Sequence, residues 1–320
     1  MDDSDDDGFA HIGESLPEHK PLTPVQRRRL RASIDIQDTP AERIAYQHTV
    51  LCQTSLPYRD PGDSVRIWER QQGAVFLALE AGRVYDRTAQ RYVEVGLPYG
   101  SRPRLILAHL NREAILNDSP RIEVESTLTA FIKRIVPGRS PNAREIGQFK
   151  DHLSRFAAAM VRMAVDLPDD RAYQVDTKII DFMELWGGKD GRQRVLWPAV
   201  VELSPRYYET LRKHAVPLEE RAIGALANSP MALDVYAWLA QRLCRIRPKR
   251  EQFVSWAALQ DQFGTGYGRI RAFREHFRAI LTQVHAQYRG AKFDLDDHGM
   301  TLRYSLPPIP GHHLDLIKDD

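Results

Sequence analysis

Cysteine is nearly absent: the 320 residues include only Cys52 and Cys244, with no CxxC pair and no Cys/His cluster beside either. That excludes a disulfide framework and a zinc site of ordinary ligand spacing, and it suits a reducing cytoplasm. Long apolar runs are also missing. The longest, Phe156 to Val161, spans about six residues against the roughly 20 that cross a bilayer, and the acidic amino terminus is unlike a signal peptide, so no membrane partner is expected. No GxxxxGK[ST] loop occurs, nor any two histidines flanking one apolar residue. Neither a metal nor a cofactor is expected.

What is present is the balance of a soluble globular protein, 42% hydrophobic and 28% charged, with chain enough for two or three compact units. The net charge of +2 conceals a division. Residues 1–20 hold seven acids against one lysine and are expected to form a disordered acidic tail. Residues 241–289 hold ten Lys or Arg against three acids, a surplus that favours a polyanionic partner.

Along the chain, PLTPVQRRRL from Pro21 opens an amino-terminal helical extension, with helical spacing through Leu30, Ile34 and Ile44, assigned to residues 21–65. From Gly73, GAVFLALEAGRVYDRTAQRYVEV predicts two strands around a turn. A helix is expected from Pro103, burying Leu105, Leu107, Leu110 and Ile115. Then an internal repeat appears: IGQFKDHL from Ile146 and IRAFREHF from Ile270 share the pattern I-x-x-F-basic-acidic-His-apolar, 124 residues apart. Each copy follows a short amphipathic segment, STLTAFIKRIV from Ser126 or SWAALQDQFG from Ser255, whose serine suits an N-cap. Each is followed by strand-like segments about a glycine turn. Three helices and a hairpin, occurring twice, predict an α+β, mainly helical fold of two tandem winged-helix domains, helix-turn-helix plus β-hairpin wing. The expected boundaries are 66–203 and 228–308, with a connecting helix over 204–227 that opens at Ser204 and Pro205, and a carboxy-terminal tail over 309–320.

The second copy is preceded by FGTGYGRI, whose glycines invite a nucleotide-binding reading. A dinucleotide fingerprint needs a strand before GxGxxG. Here the spacing is GxGxG, and Trp256, Leu259 and Phe263 form a helical stripe before it. Gly264 is therefore expected to end one helix in the left-handed conformation, with Gly266 and Gly268 turning the chain into the next. On that next helix Ile270, Phe273, Phe277, Ile280, Val284 and Tyr288 recur at spacings of three or four. At 100° per residue, Arg274, Arg278 and Arg271 fall at about 40°, 80° and 100° from Ile270, a basic strip beside the buried face. Guanidinium groups there suit phosphate oxygens or guanine edges. Arg269 and the backbone N–H groups of Gly266 and Gly268 stand at the helix amino end, where the dipole favours phosphate. In the first copy Ser140 and Pro141 should open the helix. Ile146, Phe149, Leu153, Phe156 and Met160 form its stripe, and Arg144, Gln148, Arg155 and Arg162 project where they could reach DNA. His152 and His276 occupy equivalent places and are read as packing residues, since no partner with metal spacing accompanies them.

GLPYGSRPRLILAHLNREAI, SPRIEVESTLTAFIKRIV, LSPRYYETLRKHAVPL and SPMALDVYAWLAQRL together resemble the plasmid-encoded RepA family of replication initiators, over about residues 66–308. The resemblance implies a protein that binds repeated double-stranded DNA at a plasmid origin, helps open the duplex, and recruits the host initiator and replicative helicase. Related initiators also imply a monomer that initiates and a homodimer that represses its own gene. No catalytic residues are expected. Two other readings remain open at this point: a transcription regulator on the same fold, and a rolling-circle nicking enzyme using the adjacent Tyr207 and Tyr208.

Overall fold

The computed structural model describes residues 21–86, 89–124, 132–133, 142–166, 171–186 and 197–309; the acidic leader and the last eleven residues lie outside these ranges. Helix α1 (Pro24–Asp38) is opened by a reciprocal cap. The Thr23 hydroxyl accepts from the Gln26 N–H at 3.3 Å while the Gln26 side chain accepts from the Thr23 N–H at 2.8 Å. Helical spacing does not continue to Ile44 as expected. Pro40 forbids the helical conformation at Thr39, and Ile44 begins strand β1 (Ile44–His48), followed by α2 (Thr49–Gln53). Nor are Leu30 and Ile34 buried. The inward residue of α1 is Ser33, whose hydroxyl donates to the Ala286 carbonyl at 2.6 Å.

Four strands come next: β2 (Ile67–Gln72), β3 (Val75–Glu80), β4 (Arg83–Asp86) and β5 (Arg91–Glu94). The expected single hairpin is a correction. Strand β4 pairs with β5, while β3 pairs back onto β2 through a tight turn at Gly73, φ 55°. A two-residue turn with positive φ matches the twist of the strands it joins. The polar alternation of β2 had concealed it as a strand.

Helix α3 (Ser101–Leu116) starts two residues before Pro103. After β6 (Arg121–Glu123) comes α4 (Ala143–Ala158), capped by Asn142 and Glu145. Ser140, Pro141 and most of STLTAFIKRIV lie outside the described residues. Met160 belongs to β7 (Met160–Asp166), not to the helix. Then follow β8 (Ala172–Lys178), β9 (Ile180–Trp186), β10 (Trp197–Leu203), α5 (Pro205–His214), β11 (Ala215–Glu219), α6 (Glu220–Leu226) and α7 (Pro230–Leu243). The chain closes with β12 (Glu251–Ser255), α8 (Trp256–Phe263), α9 (Ile270–Gln287), β13 (Phe293–Leu295) and β14 (Gly299–Arg303).

The fold is a mixture of helices and antiparallel sheets, with more residues in helix than in strand. One sheet runs β2-β3-β7-β8, and β1 pairs with β11. That pairing makes 21–65 more than a helical extension and 204–227 more than one connecting helix. Two other sheets run β6-β10-β9 and β12-β14-β13. In each, the strand that follows a long helix (α3 or α7) pairs with the last strand of its half, which in turn pairs with the strand before it. Both halves thus share one strand order, the first carrying β7 and β8 as an insertion between α4 and β9.

Helix α7 is mostly apolar and buried over nearly its whole length, with Asp234 and Gln241 among its buried residues. It lies in a hydrophobic cluster that reaches from β1 to β14. Ile309 is buried against the end of the fold, so the described chain is still packed where a tail was expected to begin.

Candidate nucleic-acid interface

Ser255 caps α8 by accepting from the Ala258 N–H at 3.2 Å, and Trp256, Leu259 and Phe263 are buried at the expected spacing. The glycines that follow divide the work differently from expectation. Gly264 has φ −95°, so it is not left-handed. A Cβ on it would stand 2.7 Å from the Gln260 carbonyl oxygen and 2.9 Å from the Phe273 ring, so its role is close packing of α8 on α9. Gly266, at φ 94°, is the residue that needs the conformational freedom. A Cβ on Gly268 would meet nothing within 4 Å. The turn is closed by the Tyr267 N–H donating to the Gly264 carbonyl at 2.9 Å.

Helix α9 buries Phe273, Phe277, Ile280, Leu281, Val284 and Gln287; Ile270, expected to head this stripe, is exposed. Phe273 and Phe277 pack with Phe263 and Trp256, the ring centroids of Phe263 and Phe277 lying 5.5 Å apart. The basic strip is present but not uniform. Arg271 is exposed and makes no ion pair among the described residues. Arg274 is half-buried, its guanidinium 5.4 Å from the centre of the Trp256 ring. Arg278 is exposed, leans on the same ring at 5.2 Å, and donates to the Asp296 carbonyl at 3.4 Å. Arg269 is exposed at the helix N-cap. Arg274 and the exposed Glu275 stand one turn from both Arg271 and Arg278, so one acid lies on the same face as the two exposed arginines.

The β13–β14 hairpin is acidic at its tip. Asp296 accepts from the backbone N–H groups of Gly299 at 2.8 Å and His298 at 2.7 Å, and these bonds hold its carboxyl below the usual range. Asp297 beside it is exposed. The exposed Arg247, Lys249 and Arg250 lie at the other end of the sheet, because Glu251 pairs with Arg303 there while Ser255 pairs with Gly299 at the tip. The positive surplus of residues 241–289 is therefore split between two places.

The first copy differs more. Arg144 is exposed and Gln148 half-exposed on α4. Arg155 turns inward: it donates to Asp151 at 2.8 Å and to the Leu97 carbonyl at 3.1 Å, and stacks 5.3 Å from the centre of the Tyr99 ring. Arg162 lies on β7 between Glu80 and Asp176. The two histidines are equivalent in sequence only. His152 is buried edge-on to Tyr99 at 4.8 Å, and burial pushes its pKa down to about 3. His276 is exposed and stacks on Tyr267.

Residues 97–258, just over half of the chain, match the family model of the plasmid encoded RepA protein. The chain belongs to that family. The matched stretch is narrower than the 66–308 expected, and α9 of this RepA-family chain lies beyond it. No curated protein sequence matches the chain. Among solved structures it is similar in fold to domains 2 and 3 of RctB, crystallised as selenomethionine derivatives. The TM-score is 0.50 at 7% identity, covering 79% of this chain and 96% of that one.

The tyrosine pair of this RepA-family chain is engaged inside the fold. Tyr207 is buried and donates to the Asn111 side chain at 3.0 Å, with burial pushing its phenol up, and Tyr208 donates to Asp118 at 3.0 Å. Among the described residues no three His, Cys, Asp or Glu side chains are grouped to hold a metal ion. Nor is any helix there long and apolar enough to cross a membrane.

Sequence reasoning missed two arginines that position these elements. Arg70 of β2 donates to the carbonyls of Asp261 and, at 2.9 Å, Gln262, satisfying the free carboxy end of α8. Arg104 of α3 meets Asp234 of α7 in a buried bidentate pair at 2.6 and 2.7 Å. The available signal for the second was an acid within the otherwise apolar PMALDVYAWLA.

Proposed function

We propose that this RepA-family chain is a plasmid replication initiator that binds repeated double-stranded DNA at an origin, with α9 as the helix that enters the major groove. On this reading residues 66–203 and 228–308 are two winged-helix modules, supported by the strand order shared between β6-β10-β9 and β12-β14-β13. The observation that carries it is the outer face of α9. Arg271 and Arg278 are both exposed and stand seven residues, about 10 Å, apart along the helix, with Arg274 and Glu275 one turn from each, on a helix seated on the aromatic cluster beneath. Arg269 and the turn of Gly266 and Gly268 add phosphate contacts at the amino end. The acidic Asp296–Asp297 tip is ill suited to phosphate, so on this reading the helix rather than the wing supplies the base contacts.

Arg144 and Gln148 belong to a second reader on α4, and two readers one helical turn apart, about 34 Å, span a site of roughly 20 bp. Host initiator and helicase are its partners after binding, and a homodimer is its repressing form. The chain acts by binding, without a catalytic constellation.

The test is a gel shift on the plasmid's own origin. Arg271→Ala with Arg278→Ala weakens specific binding about ten-fold or more, as expected for lost bidentate base contacts, and flattens the dependence on salt. Unchanged affinity at about 150 mM salt overturns the assignment of α9. Arg155→Ala serves as a contrast, because that side chain holds the fold instead of facing DNA.

A further inference from the structure

A cleft of about 430 Å³ opens beside the turn that delivers α9. Its walls come from separate parts of the chain: Tyr58 and Arg59 after α2, Trp68 on β2, Ser229 before α7, and Tyr267 and His276 from the turn and α9. The Tyr267 and His276 rings lie 5.8 Å apart and 30° from parallel, and neither ring is buried. Facing residues are fixed. The Trp68 indole N–H donates to the Ser55 carbonyl at 2.8 Å, and its ring lies 5.7 Å from the Arg70 guanidinium. Tyr58 is held by the Arg104 guanidinium 5.2 Å from its ring centre. Arg59 is exposed and has no carboxylate partner among the described residues, and it stands close enough to act on Tyr267: burial raises that phenol and the Arg59 charge opposes the shift. Asp60 also lines the cleft, but its carboxylate already accepts from the Gly62 N–H at 3.1 Å.

A half-buried and an exposed flat ring, an indole held by its own hydrogen bond, and a guanidinium without an ion pair are the chemistry that takes a planar aromatic group attached to an anion. We propose that this cleft receives an unpaired nucleobase of single-stranded DNA, stacked against Tyr267 and His276 with its phosphate on Arg59. A proline-rich peptide would also suit aromatic walls. The nucleobase is favoured because a cation, Arg59, lines the cleft itself and a second, the exposed Arg269, follows Tyr267 by two residues, which suits a group joined to phosphate. The assignment rests on the reading of α9 as the duplex-reading helix, and it adds a second, single-stranded site to it.

The experiment measures fluorescence anisotropy of a labelled short single strand, and separately of origin duplex, with the full chain. Tyr267→Leu, which keeps an apolar cover on Phe273, weakens single-strand binding about ten-fold, the loss expected from one base–aromatic stack. Arg59→Gln weakens it less and lowers its salt dependence. Tyr267→Phe retains it, and duplex affinity stays within about two-fold of the parent in all three. Single-strand affinity unchanged in Tyr267→Leu, or duplex affinity falling by the same factor, overturns the site, as does Tyr267→Phe failing like Tyr267→Leu. Duplex that does not bind at all, beside a single strand that binds through Tyr267, overturns the reading of α9 and leaves the cleft standing.

Discussion

Replacing Asp234 by alanine strands a buried cation. The Arg104 side chain is 4% exposed and that of Asp234 10%. The guanidinium donates from Nε and Nη2 to the two carboxylate oxygens at 2.6 and 2.7 Å, and otherwise to the carbonyls of Leu56 at 2.8 Å, Gly100 at 2.6 Å and Pro57 at 3.4 Å. Asp234→Ala removes two charge-assisted bonds, worth about 1.5–3 kcal/mol each, and leaves the charge facing only carbonyl dipoles and the Tyr58 ring. A loss of about 3–5 kcal/mol follows, as for other buried pairs broken from one side, which is a large part of the 5–15 kcal/mol typical of a folded domain. Removing both partners is different: Arg104→Met with Asp234→Leu takes away the desolvation cost together with the attraction, and returns to within about 1 kcal/mol of the parent.

Urea unfolding followed by tryptophan emission reads this directly. Trp238 lies one turn along α7 from Asp234, buried with its ring 5.3 Å from Phe263. A cost below about 1 kcal/mol for Asp234→Ala would place the pair among solvated surface bridges. A double variant losing the sum of the two single losses would mean that the residues do not act on each other. Either result refutes the view that this pair joins α3 to α7.

Acid should weaken the fold through two histidines. Burial holds both His48 and His152 down to about 3, so each is neutral when folded but takes a proton below about 6.5 when unfolded. Their contribution is fully present above that value and is lost as pH falls toward 3, about 2 kcal/mol for each ring by pH ~5. His152→Leu should lose correspondingly less between pH ~7 and ~5, and an unaltered pH dependence of the urea midpoint would contradict this. The glycines offer a paired contrast. Gly264→Ala, with its methyl 2.7 Å from a carbonyl oxygen and 2.9 Å from Phe273, should cost about 1–3 kcal/mol, whereas Gly268→Ala, with open space around it, should change stability by less than about 0.5 kcal/mol. Equal midpoints for the two variants would show that α8 and α9 are not in close contact at Gly264.

Much of the carboxy half was legible because its signals are local. Ser255 caps the helix that its position announced, and Phe273, Phe277, Ile280 and Val284 recur at the helical period and are buried. The aromatic cluster makes that stripe strong. Errors gathered where neighbours in sequence are not partners in space. Ile44 continues a helical spacing, yet β1 pairs with β11, far along the chain. Strand β3 looked like half of a local hairpin with the segment after it, but it is a central strand between β2 and β7. Arg155 and Arg271 could not be ranked from composition either. Both are arginines on the flank of an amphipathic helix, and only the nearby Asp151, Tyr99 and Leu97 carbonyl turn the first one inward.

The sequence by itself determined the periods of α8 and α9, the Ser255 cap and the place of the turn between the two helices, because each depends on residues a few positions apart. The tertiary structure alone decided which strands pair, where the positive charge is presented, and that Tyr58, Trp68, Tyr267 and His276 line one cleft. Those outcomes depend on burial and on contacts between distant segments, and a charge or a ring acquires its role only from what the folded chain places against it.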